Sequence, residues 1–71
     1  MDLVINGQPR SFPSLSAGAS LLDLLTALDL KHDRIAIEHN GSIVRRPAWP
    51  DTPVANGDRF EIVHFVGGGA L

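Results

Sequence analysis

Leu21, Leu24, Leu25 and Leu28 recur at the spacing of one helical face, and they form the clearest helical stripe in a chain of 71 residues. Asp23, Thr26 and Ala27 point elsewhere on the same wheel. Ser20 stands where an N-cap belongs, and Asp23, three residues on, completes an approximate capping box. The pattern predicts a helix of roughly ten residues whose leucines pack inward. With one helix available and no cysteine to cross-link the chain, the core has to close between that helix and a sheet.

The strands follow from alternation and turn chemistry. Met1, Leu3 and Ile5 alternate with Asp2, Val4 and Asn6, and Asn6-Gly7 then supplies a two-residue turn in which both positions tolerate positive φ. Arg10 to Pro13 is expected to return as a second strand that Pro13 ends or confines to an edge. Ser14 to Ala19 reads as a small-residue connector to the helix. After the polar break Lys31-His32-Asp33-Arg34, Ile35 to His39 resumes the two-residue period, Asn40-Gly41 turns the chain, and Ser42 to Arg45 begins a further strand. Pro47, Pro50 and Pro53 around Trp49 rule out a central strand there and predict an irregular crossover with a turn of 3₁₀ helix, laying Trp49 over an edge of the core. Asn56-Gly57-Asp58 leads into a final strand, 59 to 66. This order describes an α+β domain: a mixed sheet of four to five strands with one main helix packed across one face. If the first and last strands are central neighbours they run parallel, with the helix in the crossover.

Composition narrows the function classes. A hydrophobic fraction of 44% with 20% charged residues is that of a folded domain, not a disordered segment. A formal charge of −2 with scattered Lys and Arg provides no footprint for nucleic acid. No run reaches membrane-spanning length, and Met1-Asp2-Leu3-Val4-Ile5 lacks the basic start of a signal peptide, so a cytoplasmic protein is expected. His32, His39 and His64 have no metal-ligand spacing, and no residue set suggests a nucleophile with its base, so neither a metal site nor catalytic residues are expected. His39 shares the apolar phase of Ile35 and Ile37, which predicts partial burial with a local hydrogen bond. The carboxylates, at caps, turns and outward strand positions, read as solubilising groups.

What remains is the end of the sequence. Phe60 to Val66 runs into Gly67-Gly68-Gly69, followed by Ala70 and Leu71. The glycines do not form a phosphate cradle, because no helix N-terminus follows to supply amides and dipole. They predict a flexible tail, 67–71, on a domain of residues 1–66. A carboxylate on so narrow an arm can enter an enzyme channel that side chains would obstruct. There, attack on the α-phosphate of ATP makes an acyl adenylate that a sulfur nucleophile can displace. Beside the tail, Phe60 and Ile62 are expected in the core, and Val63, Phe65 and Val66 are expected to form an apolar partner-binding patch.

The stretch Ala36-Ile37-Glu38-His39-Asn40-Gly41-Ser42-Ile43-Val44-Arg45-Arg46, with Trp49, Asn56-Gly57-Asp58-Arg59-Phe60-Glu61-Ile62-Val63 and Val66-Gly67-Gly68-Gly69, resembles the ThiS family of thiamine-biosynthesis sulfur carriers. The resemblance extends to the Asn6-Gly7 turn and the Ser20 to Leu25 helix start, and so covers nearly the whole chain. It implies a ubiquitin-like β-grasp fold and a C-terminal glycine that becomes a thiocarboxylate. It implies an E1-like adenylating enzyme that uses MgATP, a cysteine desulfurase relay that brings sulfur, and thiazole synthase as the acceptor. The chain would then be a protein cosubstrate with no bound cofactor, not an enzyme. Family members commonly carry proline before the arginine matched by Arg46; here Arg45 stands there and Pro47 follows. Ala70 and Leu71 displace the carboxylate by about 7 Å in extended chain, so Gly69 is the expected reactive residue after their removal by a processing protease. A carrier for molybdopterin or cysteine synthesis, and a ubiquitin-like binding module with an inert tail, remain open at this point.

Overall fold

A computed structural model of the chain describes residues 1–31 and 33–65. His32, Val66, the glycines Gly67, Gly68 and Gly69, and Ala70 and Leu71 lie outside the described residues.

The elements are β1 (Asp2–Ile5), β2 (Gln8–Ser11), α1 (Leu21–Ala27), β3 (Ile35–His39), β4 (Ser42–Val44), a 3₁₀ segment (Arg46–Asp51) and β5 (Arg59–His64). The five strands form one sheet in the order β2-β1-β5-β3-β4. β1 and β5 are parallel central neighbours, and the β1–β2, β3–β5 and β3–β4 pairs are antiparallel. With α1 in the crossover from β1 to the rest of the sheet, this is the β-grasp arrangement.

α1 begins as its sequence dictates. The Ser20 hydroxyl accepts from the Asp23 amide at 3.1 Å, and the Asp23 carboxylate accepts from the Ser20 amide at 2.9 Å. The helix is shorter than the leucine period suggests. Asp29 adopts a left-handed conformation (φ 57°), and the Asp29 and Leu30 amides donate back to the Thr26 and Leu25 carbonyls. That is a Schellman stop with aspartate in the position glycine usually takes. Leu21, Leu24 and Leu25 are fully buried, and Leu28 packs partly buried at their edge.

The core joins these leucines to Leu3, Ile5, Ile35, Ile37, Phe60 and Ile62 from the sheet. The structure departs from the sequence expectations in what completes the core and in the bounds of two strands. Trp49 does not lie over an edge; at 2% exposure it is part of the core, with its indole N–H donating to the Val44 carbonyl at 2.9 Å. Leu15, inside the small-residue connector, is buried, as are Phe12 and Val54. β2 runs Gln8–Ser11, two residues earlier than expected, so Pro9 sits on the edge strand and Phe12 leaves the sheet for the core. Arg45 is not in β4 but precedes the 3₁₀ segment, where Pro47 favours the helical turn.

Candidate functional site

β5 is the strand that leads toward the glycines, and its surroundings define what can happen there. Its two faces separate cleanly. Phe60 and Ile62 are buried beneath α1, whereas Arg59, Glu61 and Val63 point to the opposite face. Val63 is 55% exposed and Phe65 54% exposed, as the phase of the sequence predicts.

The strand is held from both sides by the residues of the two Asn-Gly turns. Asn6 and Asn40 both have φ of 50°, with Gly7 and Gly41 at 80° and 90°. Each asparagine then uses its side chain as an extra rung of the sheet. The Asn6 Oδ1 accepts from the Ile62 amide at 2.7 Å and its Nδ2 donates to the Ile62 carbonyl at 3.2 Å. On the other side, the Asn40 Oδ1 accepts from the Arg59 amide at 2.9 Å. Ile35 pairs with His64, and the Phe65 amide donates to the Arg34 carbonyl at 2.7 Å, so the strand is anchored to the last described residue. The sequence marks Asn6 and Asn40 as turn residues; their bonds to β5 depend on a segment that arrives much later in the chain.

His39, Asn40 and Asp58 converge at the start of β5. His39 Nε2 lies 2.7 Å from Asp58 Oδ2, and the His39 ring stacks on Phe60 with centroids 4.6 Å apart. Asp58 also accepts from the Ala55 amide at 2.9 Å and from the Asn40 amide group at 3.2 Å. Partial burial acts to raise the Asp58 pKa, but these three donors and the attraction of His39 outweigh it, so the carboxyl titrates below its ordinary value. Asp58 is therefore not a solubilising group: it ties the turn before β5 to the end of β3. Asp23 is the other exception, as a cap. The cluster lies at the N-terminal end of β5, and its side chains bond to one another and to the neighbouring backbone. Among the described residues no group of three or more His, Cys, Asp or Glu side chains could hold a metal ion.

On the exposed face, Ala36 stands opposite Val63, Glu38 opposite Glu61, and Ile43 opposite Glu38. Ile43, at 73% exposure, adds to the apolar surface of Val63 and Phe65. It is not among the patch residues expected from the sequence, although its alternation with Val44 carries the signal. The third expected member of the patch, Val66, lies outside the described residues.

A small β-grasp domain whose last strand precedes a glycine run in the sequence has a counterpart among known proteins. The ThiS family model matches residues 3–69, from β1 through the last glycine. The chain belongs to the ThiS family. Its structure resembles the crystal structure of the thiamine biosynthesis protein ThiS of Geobacter metallireducens, with a TM-score of 0.82 and 33% identity over 97% of this chain and 100% of that one. It is 34% identical over 50 residues to the sulfur carrier protein ThiS of Bacillus subtilis, covering 70% of this chain and 76% of that one. It is also 40% identical over 70 residues to a thiazole synthase of Paramagnetospirillum magneticum. That alignment takes in 99% of this chain but 21% of the relative, so the chain spans about one fifth of the length of the thiazole synthase it matches. No helix among the described residues is long and apolar enough to cross a membrane.

Proposed function

We propose that this ThiS-family chain is a sulfur carrier of thiamine biosynthesis that works through the carboxyl group of Gly69. A free carboxylate has no leaving group that sulfur can displace, so it must be activated. An adenylating enzyme of the E1-like class supplies MgATP: a Gly69 carboxylate oxygen attacks the α-phosphorus, pyrophosphate leaves, and an acyl adenylate forms. A cysteine desulfurase relay supplies the sulfur as a persulfide, a thiol reduces it to hydrosulfide as a disulfide forms, and the hydrosulfide attacks the acyl carbon. AMP leaves with the electron pair of the broken C–O bond, and Gly69 ends as a thiocarboxylate. The chain is consumed and regenerated as a cosubstrate, and its own side chains perform no catalytic step.

The observation that carries this reading is the family match through Gly69, the last residue of the glycine run. Ala70, Leu71 and anything beyond them have to be cleaved before Gly69 has a carboxylate to activate. Gly67 and Gly68 provide the narrow arm, and Val63, Phe65 and Val66 the apolar contact beside it. The likeness to thiazole synthase over nearly the whole chain favours thiazole formation, rather than molybdopterin or cysteine synthesis, as the destination of the sulfur.

Exchange of labelled pyrophosphate into ATP tests the reading. With the adenylating enzyme of the same organism, the chain ending at Gly69 should support exchange, and deletion of residues 67–69 should abolish it. Exchange that is indifferent to the glycines would overturn the proposal.

A further inference from the structure

The exposed face of the sheet carries an electrostatic conflict that no ion pair among the described residues resolves. Glu38 in β3 and Glu61 in β5 are direct cross-strand partners, and both are exposed. Like charges placed directly opposite in a sheet destabilise it. Neither carboxylate forms an ion pair with a described residue. Arg59 lies two residues before Glu61 on the same face and lines a depression of about 400 Å³ with both glutamates, yet it makes an ion pair with neither. Two carboxylates and one guanidinium leave a local excess of negative charge.

The same glutamates border a second, smaller depression of about 90 Å³, whose apolar wall is formed by Ile43 and Val63. An acidic pair flanked by exposed aliphatic groups matches one kind of incoming side chain. Arginine and lysine have an apolar stem and a charged head, so the stem can lie on Ile43 and Val63 while the head reaches both carboxylates. Phe65, two residues beyond Val63 in the chain, is exposed as well.

We propose that this face docks a protein partner that inserts a basic side chain, best an arginine, between Glu38 and Glu61 and lays apolar groups on Ile43, Val63 and Phe65. The inference rests on the carrier reading, in which the partner that adenylates Gly69 must lie beside β5. The cation relieves the Glu38–Glu61 repulsion on binding, so the conflict in the free chain becomes an attraction in the complex. Because the contact is charge-assisted, it also selects against partners with an acidic rim.

The test is steady-state pyrophosphate exchange with the processed chain as varied substrate, at low and at high salt. The double variant Glu38→Gln/Glu61→Gln should raise KM about tenfold or more with kcat unchanged, and should lose most of the salt dependence of KM. Asp51→Asn, an exposed carboxylate on the 3₁₀ segment, should change neither. The double variant should melt no lower than wild type, which separates docking from folding. A KM within twofold of wild type in the double variant would overturn this inference and leave the carrier reading standing. Absence of exchange with the wild-type chain would overturn both.

Discussion

The Asn6 side chain takes the place of a strand residue beside Ile62, accepting from its amide at 2.7 Å and donating to its carbonyl at 3.2 Å. β1 has already turned away at this point, so the side chain lengthens the parallel β1–β5 ladder by one rung toward the glycines. Asn6→Gly keeps a residue that accepts positive φ and removes only the rung. The expected loss is about 1–3 kcal/mol in chemical denaturation, with faster hydrogen exchange of the Ile62 amide. Unchanged stability and exchange would mean that Asn6 serves the turn alone.

The partial burial of Asp58 is outweighed by the hydrogen bonds it accepts, from the Ala55 amide and from His39 and Asn40, and this gives a pH dependence of known sign. The folded-state pKa of Asp58 is below its ordinary 3.8, so the folded state favours the carboxylate. The stability this contributes is fully present above about 4 and is lost as the pH falls through the lowered folded value. Asp58→Asn removes it at all pH values. Melting curves should therefore show the variant less stable than wild type near neutrality, with the gap narrowing below pH 3.8. A gap that stays constant across this range would refute the assignment.

Trp49 bridges the 3₁₀ segment and β4 through its indole N–H and the Val44 carbonyl. Trp49→Phe retains most of the buried ring but leaves that carbonyl without its donor. A loss of about 1–3 kcal/mol is expected by denaturant titration. A loss well below this would show that the carbonyl recovers a partner from water.

Glu61→Gln removes one member of the like-charged Glu38–Glu61 pair without disturbing the core. It should stabilise the free chain by about 0.2–1 kcal/mol at low ionic strength, and the gain should shrink as salt screens the repulsion. A destabilised variant would contradict the view that these charges oppose each other in the free chain.

Much of this architecture is legible along the chain because short-range signals agree. Leu21, Leu24 and Leu25 mark the buried helix face, Ser20 and Asp23 its start, and the alternation of Phe60 and Ile62 with Glu61 and Val63 the two faces of β5. What is not legible depends on distant contacts. Leu15 is a lone apolar residue among small ones, and only the packed structure shows it buried. Trp49 could be placed near the core from the prolines around it, but its depth is set by α1 and β4. The helix end was concealed because Asp29 occupies a position that glycine would have signalled. Asn6 and Asn40 announce turns, and nothing nearby in sequence indicates that their amides hold β5. Val63 and Phe65 were readable as exposed by phase, whereas Glu38 becomes notable only when the register sets it against Glu61.

The central claim is that Gly69 is the sulfur-bearing residue, and intact-mass analysis of the protein from its native host tests it most directly. The expected species terminates at Gly69 and carries the mass increment of one oxygen replaced by sulfur, an increment lost when hydrolysis releases hydrogen sulfide and restores the carboxylate. A functional thiocarboxylate form that still retains Ala70 and Leu71 would contradict it.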